Sequence, residues 1–323
     1  MNTSAIRARA EATPSAQLPL MAHAIQFLAR RWPWWKGQSS IMDAFSNVIG
    51  ERSDFHTMTP LRSKLRMTVP LADLVGRKAV AFGENDADLF RFLKLALTNS
   101  APGSIYLDIG ANLGIFLLRI AESTGVRCIG FEPQPNLEAL LQENIVANGL
   151  GDLVEVRGVA LGTEPGFVRM AVSERDSGVA RVANDEGNVE VPISTLLQEF
   201  DVETWKKVAI VKIDVEGFEL EVFKGATPLF REHRPTLVFE VNVAELKRKE
   251  RKPKELADFL RSVGYMDFRA LDKFVYPIRN GMYPVANVIA VGSNGTSLLD
   301  QFGVHPEFRP TSKTNWIVHH YEF

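Results

Sequence analysis

The stretch Tyr106-Leu-Asp-Ile-Gly-Ala-Asn-Leu-Gly114 decides the fold of this chain. An apolar run ending at Ile109 predicts a buried parallel strand, and the two glycines allow a tight turn into the helical pattern that follows. A second apolar run ends at Phe131-Glu-Pro133, where the carboxylate of Glu132 can accept hydrogen bonds from both hydroxyls of a ribose. These two strand ends predict a site for a nucleoside-containing cofactor.

The residues around the first glycine indicate which cofactor. A dinucleotide site needs G-x-G-x-x-G, because the second glycine lets the chain approach a pyrophosphate. Asn112 stands at that place, and no phosphate-binding lysine follows. Asp108 adds a negative charge that opposes phosphate and suits the ammonium of a methionine moiety. The pattern D-x-G-x-N-x-G with a strand-end Glu132 therefore favours S-adenosylmethionine over a nicotinamide dinucleotide.

Length, composition and charge limit the class of protein. With 323 residues and 46% hydrophobic content, the chain can bury a full core. Its net charge of −2 offers no strong field for nucleic acid. The single cysteine, Cys128, lies in an apolar run, which excludes an intrachain disulfide and indicates a reduced interior. We predict a cytoplasmic protein with no nucleic-acid partner, and composition does not predict its oligomeric state.

Four regions follow one another along the chain. Residues 1–38 combine a disordered start with a short apolar helix and the basic, tryptophan-rich Arg30-Arg-Trp-Pro-Trp-Trp-Lys36. This segment can contact a membrane surface, or pack on the domain or on a partner chain. Residues 39–100 predict a lead-in subdomain, with strands at Leu65–Val69 and Lys78–Phe82 and a helix capped by Asp86. Residues 101–295 form the main domain, and residues 296–323 form a tail.

Strands and helices alternate in the main domain, which predicts a Rossmann-like α/β fold with a mostly parallel sheet. The predicted strands are Ser104–Ile109, Arg127–Phe131, Val154–Val159, Val208–Ile213 and Thr236–Val241. The predicted helices are Gly114–Ser123, Pro135–Asn148, Phe218–Lys224 and Lys254–Val263. An antiparallel excursion is predicted from Gly166–Val172 and Val189–Ile193. A final antiparallel pair, Phe274–Ile278 with Val285–Val291, is typical of a methyltransferase sheet.

A second group of polar residues lies at the end of the strand Val208–Ile213 and just after it. Lys212, Asp214 and Glu216 stand at its carboxyl end, where open parallel sheets bind their ligands. In one interpretation the carboxylates cap the next helix and Lys212 pairs with one of them. In the other, Asp214 or Glu216 orients or deprotonates an acceptor hydroxyl while Lys212 tunes the carboxylate, which makes all three candidate catalytic residues.

The next strand adds further oxygen ligands to the same rim. Glu240 and Asn242 share one face of that strand by alternation. Together with Asp214 and Glu216 they offer the carboxylate and amide oxygens that a hard divalent cation prefers. Their spacing is not diagnostic, so a divalent metal stays an open alternative and is not predicted.

In combination, these motifs resemble the FkbM family of S-adenosylmethionine-dependent methyltransferases. The resemblance rests on Asp108–Gly114, Phe131–Pro133, Val159-Ala-Leu-Gly162 and Lys212-Ile-Asp-Val-Glu-Gly217, in this order. It implies a class I methyltransferase fold with a seven-stranded sheet and an antiparallel C-terminal strand pair. It also implies cofactor binding by the residues Asp108, Gly110, Asn112, Gly114, Glu132, Pro133 and Ala160.

The resemblance further implies methylation of an oxygen, with a small-molecule or glycan acceptor. We therefore expect an O-methyltransferase acting on a hydroxyl of a glycan, glycolipid or secondary metabolite. Transfer to nitrogen and a non-catalytic cofactor- or partner-binding module are the alternatives. One departure motivates the last of these: the family usually carries T-L-D after the inserted excursion, and this chain has Leu197 in place of the aspartate.

Overall fold

The computed structural model describes residues 17–31, 38–51, 55–83, 86–173, 175–183, 185–271 and 285–292. The helices are α1 Leu20–Ala29, α2 Gln38–Ile49, α3 Leu74–Phe82, α4 Ala87–Thr98, α5 Ile115–Thr124, α6 Pro135–Ala147, α7 Leu196–Glu199, α8 Val202–Trp205, α9 Glu219–Gly225, α10 Thr227–His233, α11 Val243–Arg248 and α12 Pro253–Ser262. The strands are β1 Phe55–Met58, β2 Met67–Pro70, β3 Ile105–Ile109, β4 Arg127–Phe131, β5 Val154–Arg157, β6 Ala160–Leu161, β7 Gly166–Ala171, β8 Arg181–Val182, β9 Val189–Ser194, β10 Val208–Ile213, β11 Thr236–Asn242, β12 Tyr265–Leu271 and β13 Val285–Gly292.

A seven-stranded sheet with the order β12-β13-β11-β10-β3-β4-β5 forms the centre of the fold. β5, β4, β3, β10 and β11 pair in parallel, and β13 inserts antiparallel between β11 and β12. The chain builds outward from β3 through β4 to β5, then returns to place β10 on the other side of β3. Strand order therefore reverses between β3 and β10, and ligands of open α/β sheets bind at such a point. The predicted fold class is confirmed.

Helices cover both faces of this sheet, so its central strands are apolar on both sides. Ile105, Leu107 and Ile109 of β3 pack into one core layer, which extends to α9 and α12. Tyr106 of the same strand and Cys128 of β4 pack into the opposite layer, with α3 to α6. The buried thiol of Cys128 is a free cysteine, as the sequence predicts.

The inserted excursion forms a separate four-stranded sheet with the order β6-β9-β7-β8. β7 and β9 pair antiparallel, which confirms the predicted pairing. A short 3-10 turn, Ser177–Val179, lies between β7 and β8 and contacts α3. The excursion therefore reaches back to the lead-in region.

The lead-in region differs from the prediction at one element. Lys78–Phe82, predicted as a strand, forms the second half of α3. Asp73 caps this helix by accepting a hydrogen bond from Val75 N at 2.6 Å, and Gly83 ends it at φ 77°. So short an apolar run fits the period of a helix as well as that of a strand. The Asp73 cap upstream favours the helix. The strand predicted at Leu65–Val69 is confirmed as β2, with shifted bounds.

Two further predictions have mixed outcomes. The helix capped by Asp86 is confirmed as α4, because Asp86 Oδ1 accepts a hydrogen bond from Leu89 N at 3.0 Å. The final strand pair is confirmed as antiparallel, but the partner of β13 is β12. The segment predicted to pair with it, 274–278, lies outside the described residues. So do residues 1–16 of the predicted disordered start, residues 32–36 of the tryptophan-rich segment, and the tail. No helix in the described ranges combines the length and apolar character of a membrane span.

Candidate active site

The carboxyl ends of β3 and β10 meet closely at the reversal of strand order. Asp214 N donates a hydrogen bond to Ile109 O at 3.0 Å, which ties the two strand ends together. Gly110 follows at φ 81°, and a Cβ there would lie 1.9 Å from the carbonyl oxygen of Asp214. Only glycine accepts both this backbone conformation and this contact. The first glycine of the sequence motif therefore brings the two functional strand ends into contact.

A buried ion pair lies directly beneath this contact. Lys212 Nζ is 3.1 Å from Asp108 Oδ1 and 3.4 Å from Asp214 Oδ2. Burial alone would lower the pKa of Lys212, but the charges of Asp108 and Asp214 outweigh it and hold this pKa above its ordinary value. Lys212 is therefore a fixed cation that two carboxylates share.

The carboxylate of Glu132 is buried at the end of β4 and oriented by two backbone donors. Its Oε2 accepts from Asn112 N at 2.8 Å, and its Oε1 accepts from Gln134 N at 2.9 Å. Burial raises the pKa of Glu132 to about 7, and these hydrogen bonds offset only part of the increase. Each oxygen keeps acceptor capacity for a further donor such as a ribose hydroxyl.

Asn112 has a structural role that the sequence did not reveal. Its backbone lies in the left-handed region at φ 51°, which asparagine tolerates better than most residues. Its side-chain Nδ2 lies 3.1 Å from Ser177 Oγ in the inserted excursion. Ser177 N in turn donates to Asp73 Oδ2 at 3.1 Å. Asn112 thus connects the glycine turn after β3 to the lead-in helix α3 through the excursion.

Three carboxylates converge above the ion pair. Oxygens of Asp214, Glu216 and Glu240 all lie within 4.8 Å of one another. Burial, reinforced by Asp214, raises the pKa of Glu216 to about 8. Burial, reinforced by Asp214 and Glu216, raises the pKa of Glu240 to about 10. Such a group retains protons at neutral pH unless a cation neutralises it.

Asn242 does not join this group as an open oxygen ligand. Its Oδ1 caps α11 by accepting from Ala244 N and Glu245 N, at 3.2 and 3.3 Å. Its Nδ2 donates to Glu216 Oε2 at 3.0 Å, so it orients that carboxylate. Of the four cation ligands considered from the sequence, three converge. Glu216 itself has φ 50°, an unfavourable value for a non-glycine residue and one that occurs at functional sites.

Sequence reasoning missed Glu219, the first residue of α9. Its Oε1 accepts from Gly217 N at 3.1 Å and from Val215 N at 3.4 Å, so the carboxylate holds the loop that carries Asp214 and Glu216. Burial raises the pKa of Glu219 to about 7. The glutamate two residues after Gly217 in the sequence was the available signal.

A cavity of about 430 Å³ opens over both groups of strand ends. The site residues predicted from the sequence that line it are Gly110, Asn112, Glu132, Pro133, Ala160, Lys212, Asp214 and Glu216. Asp108 and Gly114 do not line it. Asp108 is buried behind Lys212, and Gly114 makes room for Leu141, whose Cδ1 a Cβ would approach to 2.2 Å. Asp108 therefore does not face the cavity, and the structure does not support direct contact between its carboxylate and a bound ammonium.

The cavity is also lined by residues that no sequence motif indicated. Asn287 of β13 lies beside Glu240 in register, and its Nδ2 donates to Asp86 Oδ2 at 3.1 Å. Val75 and Lys78 of α3 also line the cavity. These residues come from the lead-in region and the last strand, which only folding brings together.

The charge of the cavity lining suits a cationic ligand. Its acidic residues are Asp86, Glu132, Asp214, Glu216 and Glu240, and its basic residues among those described are Lys78 and Lys212. Because Lys212 is shared by two carboxylates, it is poorly placed to bind a pyrophosphate. A sulfonium cofactor with a ribose fits this lining, with Glu132 at the ribose and the acidic rim near the positive charge.

A seven-stranded sheet of this order, with β13 inserted antiparallel and an acidic residue at the end of β4, defines the class I methyltransferase fold. Residues 108–266 match the Methyltransferase FkbM domain. This segment of the chain is therefore a domain of the FkbM methyltransferase family.

One curated relative and two solved structures illustrate the similarity. The chain is 29% identical over 164 residues to the hexuronic acid methyltransferase AglP of Haloferax volcanii, a match that covers 50% of this chain and 64% of the relative, less than two thirds of its length. The crystal structure of a methyltransferase FkbM from Methylobacillus flagellatus aligns with a TM-score of 0.41 at 15% identity, over 83% of this chain and 58% of that one. An O-methyltransferase from Bacillus cereus in complex with SAH aligns with a TM-score of 0.38 at 17% identity, over 64% of this chain and 82% of that one.

Proposed function

We propose that this protein is an S-adenosylmethionine-dependent O-methyltransferase whose acceptor is a hydroxyl of a carbohydrate, in a glycan, a glycolipid or a glycosylated metabolite. One observation carries the proposal: the ribose-binding carboxylate Glu132 and the acidic group of Asp214, Glu216 and Glu240 line the same cavity. The similarity to a hexuronic acid methyltransferase supports a sugar acceptor.

The residues near β3 and β4 hold the cofactor in this proposal. Glu132 accepts hydrogen bonds from the ribose, and Pro133 and Ala160 line the space beside it. Asp108 acts indirectly: it fixes Lys212, which fixes Asp214 at the cavity wall. The negative charge of Asp214 then faces the positive charges of the methionine moiety.

The residues at the ends of β10 and β11 prepare the acceptor. The bound cofactor supplies a methyl group carried on a sulfonium. A hydroxyl oxygen attacks well only if it loses its proton, and Glu216 is the best placed group to accept that proton. Its pKa of about 8 makes it a stronger base than an ordinary carboxylate, and Asn242 holds its orientation. Lys212 is a positioning cation, because both of its contacts are carboxylates.

Calorimetric titration tests the cofactor assignment. We expect S-adenosylhomocysteine to bind and NAD not to bind, and we expect Glu132→Ala to abolish the S-adenosylhomocysteine signal. Glu203→Gln is the matched control, since Glu203 is an exposed partner of Lys206 on α8. Preferential binding of NAD would contradict the cofactor assignment.

Transfer of a labelled methyl group tests the reaction. The acceptor panel contains neutral glycosides, uronic acid glycosides and amino sugars, and mass spectrometry of each product identifies the methylated atom. We expect an O-methyl product, and we expect Glu216→Gln to retain S-adenosylhomocysteine binding while losing about a hundredfold or more in turnover. An N-methyl product would contradict oxygen specificity. Cofactor binding with no product would favour the non-catalytic module. The predicted cytoplasmic location and lack of nucleic-acid partners stay predictions.

A further inference from the structure

The inner face of helix α1 fixes its orientation on the domain. Ala22 and Ala29 are fully or almost fully buried. Gln26 Nε2 and Arg30 Nη2 both donate to Val80 O of α3, at 2.9 and 3.1 Å. These contacts determine which side chains of α1 face away from the protein.

The outer face of α1 is apolar and exposed. Leu20, Met21, Phe27 and Leu28 are 88, 64, 56 and 58% exposed, and their spacing places them on one side of the helix. The other large exposed apolar residues in the described ranges lie one to an element, at Leu74, Phe167, Val179, Leu197, Val202 and Met266. Single exposed apolar residues are common on protein surfaces, whereas a group on one helix indicates an interaction surface.

A basic residue borders this surface at the C-terminal end of α1. The guanidinium carbon of exposed Arg31 lies 3.7 Å from the centroid of the Phe27 ring. The sequence then continues as Trp32-Pro-Trp-Trp-Lys36. Tryptophan is enriched at the level of lipid headgroups, and basic residues are attracted to anionic lipids. The combination matches the chemistry of an anionic bilayer surface.

We propose that the face formed by Leu20, Met21, Phe27 and Leu28, with Arg31 at its edge, docks on the surface of an anionic lipid bilayer. α1 lies on the surface and does not cross it, because ten helical residues are too few for a span. The inner face of α1 is bonded to Val80 of α3. Because α3 also lines the cavity with Val75 and Lys78, α1 lies close to the site. Docking would hold the cavity near acceptors that are attached to lipid. The docking itself does not depend on the proposed function.

Vesicle flotation of the full chain tests the proposal without cofactor or acceptor. We expect the protein to float with phosphatidylcholine vesicles that contain phosphatidylglycerol, and much less with pure phosphatidylcholine. Phe27→Ser combined with Leu28→Ser should lower the floated fraction more than about tenfold, because two large apolar side chains no longer enter the interface. Arg31→Gln should lower it about fivefold, and only for the anionic vesicles.

Phe167→Ser is the matched control, because Phe167 is 73% exposed on β7 and lies outside the docking face. It should float like the unmodified protein, and thermal melting should show that all variants stay folded. Failure of the unmodified protein to float with either vesicle would overturn the proposal. So would a Phe27 and Leu28 double variant that floats normally. The proposal would also be overturned if the double variant floated normally while its mass, measured by light scattering, fell from that of a dimer to that of a monomer. That result would assign the face to a second copy of the chain.

Discussion

Lys212 and Asp108 are register partners on the adjacent parallel strands β10 and β3, and their charged atoms lie 3.1 Å apart in a buried setting. The pair spans the point where strand order reverses, directly below the cavity. Because parallel strands place their carboxyl ends at one edge, two residues far apart in sequence form one electrostatic unit. The unit extends to the cavity wall through Asp214, at 3.4 Å from Lys212.

The buried pair should dominate the response of this region to substitution. Lys212→Met leaves Asp108 buried without its cation, and we expect it to lower the free energy of unfolding by about 3–5 kcal/mol. Combining it with Asp108→Asn removes both charges and should recover a large part of that loss. Urea denaturation measures both variants. A double variant no more stable than Lys212→Met would contradict this view of the pair.

Gly110 should be far less replaceable than a glycine with a similar backbone. Gly125 has φ 69° and no atom within 4 Å of its Cβ position, so Gly125→Ala should cost about 1 kcal/mol of unfolding free energy. Gly110→Ala adds a collision with Asp214 O and should cost at least about 3 kcal/mol. Thermal and chemical denaturation compare the two. Equal losses would mean that only backbone conformation matters at Gly110.

The pH dependence of catalysis should report Glu216. If Glu216 is the base, kcat/KM rises with pH through about 8, because the carboxylate acts only when deprotonated. Asn242→Asp keeps the acceptor that caps α11 but replaces the donor to Glu216 with a negative charge. The inflection should then move to higher pH, and turnover near neutral pH should fall about tenfold for each unit of pKa. An unmoved inflection would assign the titration to another group.

The stability of the unliganded protein should fall as pH rises, because of Glu240. Its folded-state pKa of about 10 lies above its unfolded value, so this group contributes most stability at low pH and loses it as pH rises. Glu240→Gln removes the titration. The loss of unfolding free energy from roughly pH 5 to pH 8 should then be smaller than in the unmodified protein by about 2–4 kcal/mol. Urea denaturation of both proteins over a series of pH values measures this difference. The same pH dependence in the unmodified protein and in Glu240→Gln would contradict the role of Glu240.

Removal of metal by a chelator tests whether the three converging carboxylates are neutralised by protons or by a metal ion. Asp214 Oδ2 is paired with Lys212 and Glu216 Oε2 accepts from Asn242, so much of the coordinating capacity is already used. We expect treatment with EDTA to leave S-adenosylhomocysteine binding unchanged and to change turnover by less than about twofold. Loss of turnover that is restored by Mg²⁺ or Mn²⁺ would instead establish a metal site.

Much of the fold was predictable from local patterns. The strands Arg127–Phe131 and Val208–Ile213 were predicted with the bounds that the structure has. Their apolar runs are long enough and their turn residues distinct enough to mark both ends. The prediction of a strand at Lys78–Phe82 was wrong for the opposite reason, because five residues fit the period of a helix as well as that of a strand. The partner of β13 was misplaced because strand pairing depends on contacts distant in sequence.

The sequence alone determined which groups stand at the two strand ends: a glycine turn without the second glycine of a pyrophosphate site, the carboxylate of Glu132, and charged residues around Ile213. Residue type and spacing suffice for this, because they fix the backbone conformations and the hydrogen-bonding groups. Tertiary structure alone decided that Asp108 is buried behind Lys212, that Asn112 contacts Ser177, and that Asn242 orients Glu216. Burial and charge proximity set these roles and the associated pKa values, and both depend on elements that folding brings together from distant parts of the chain.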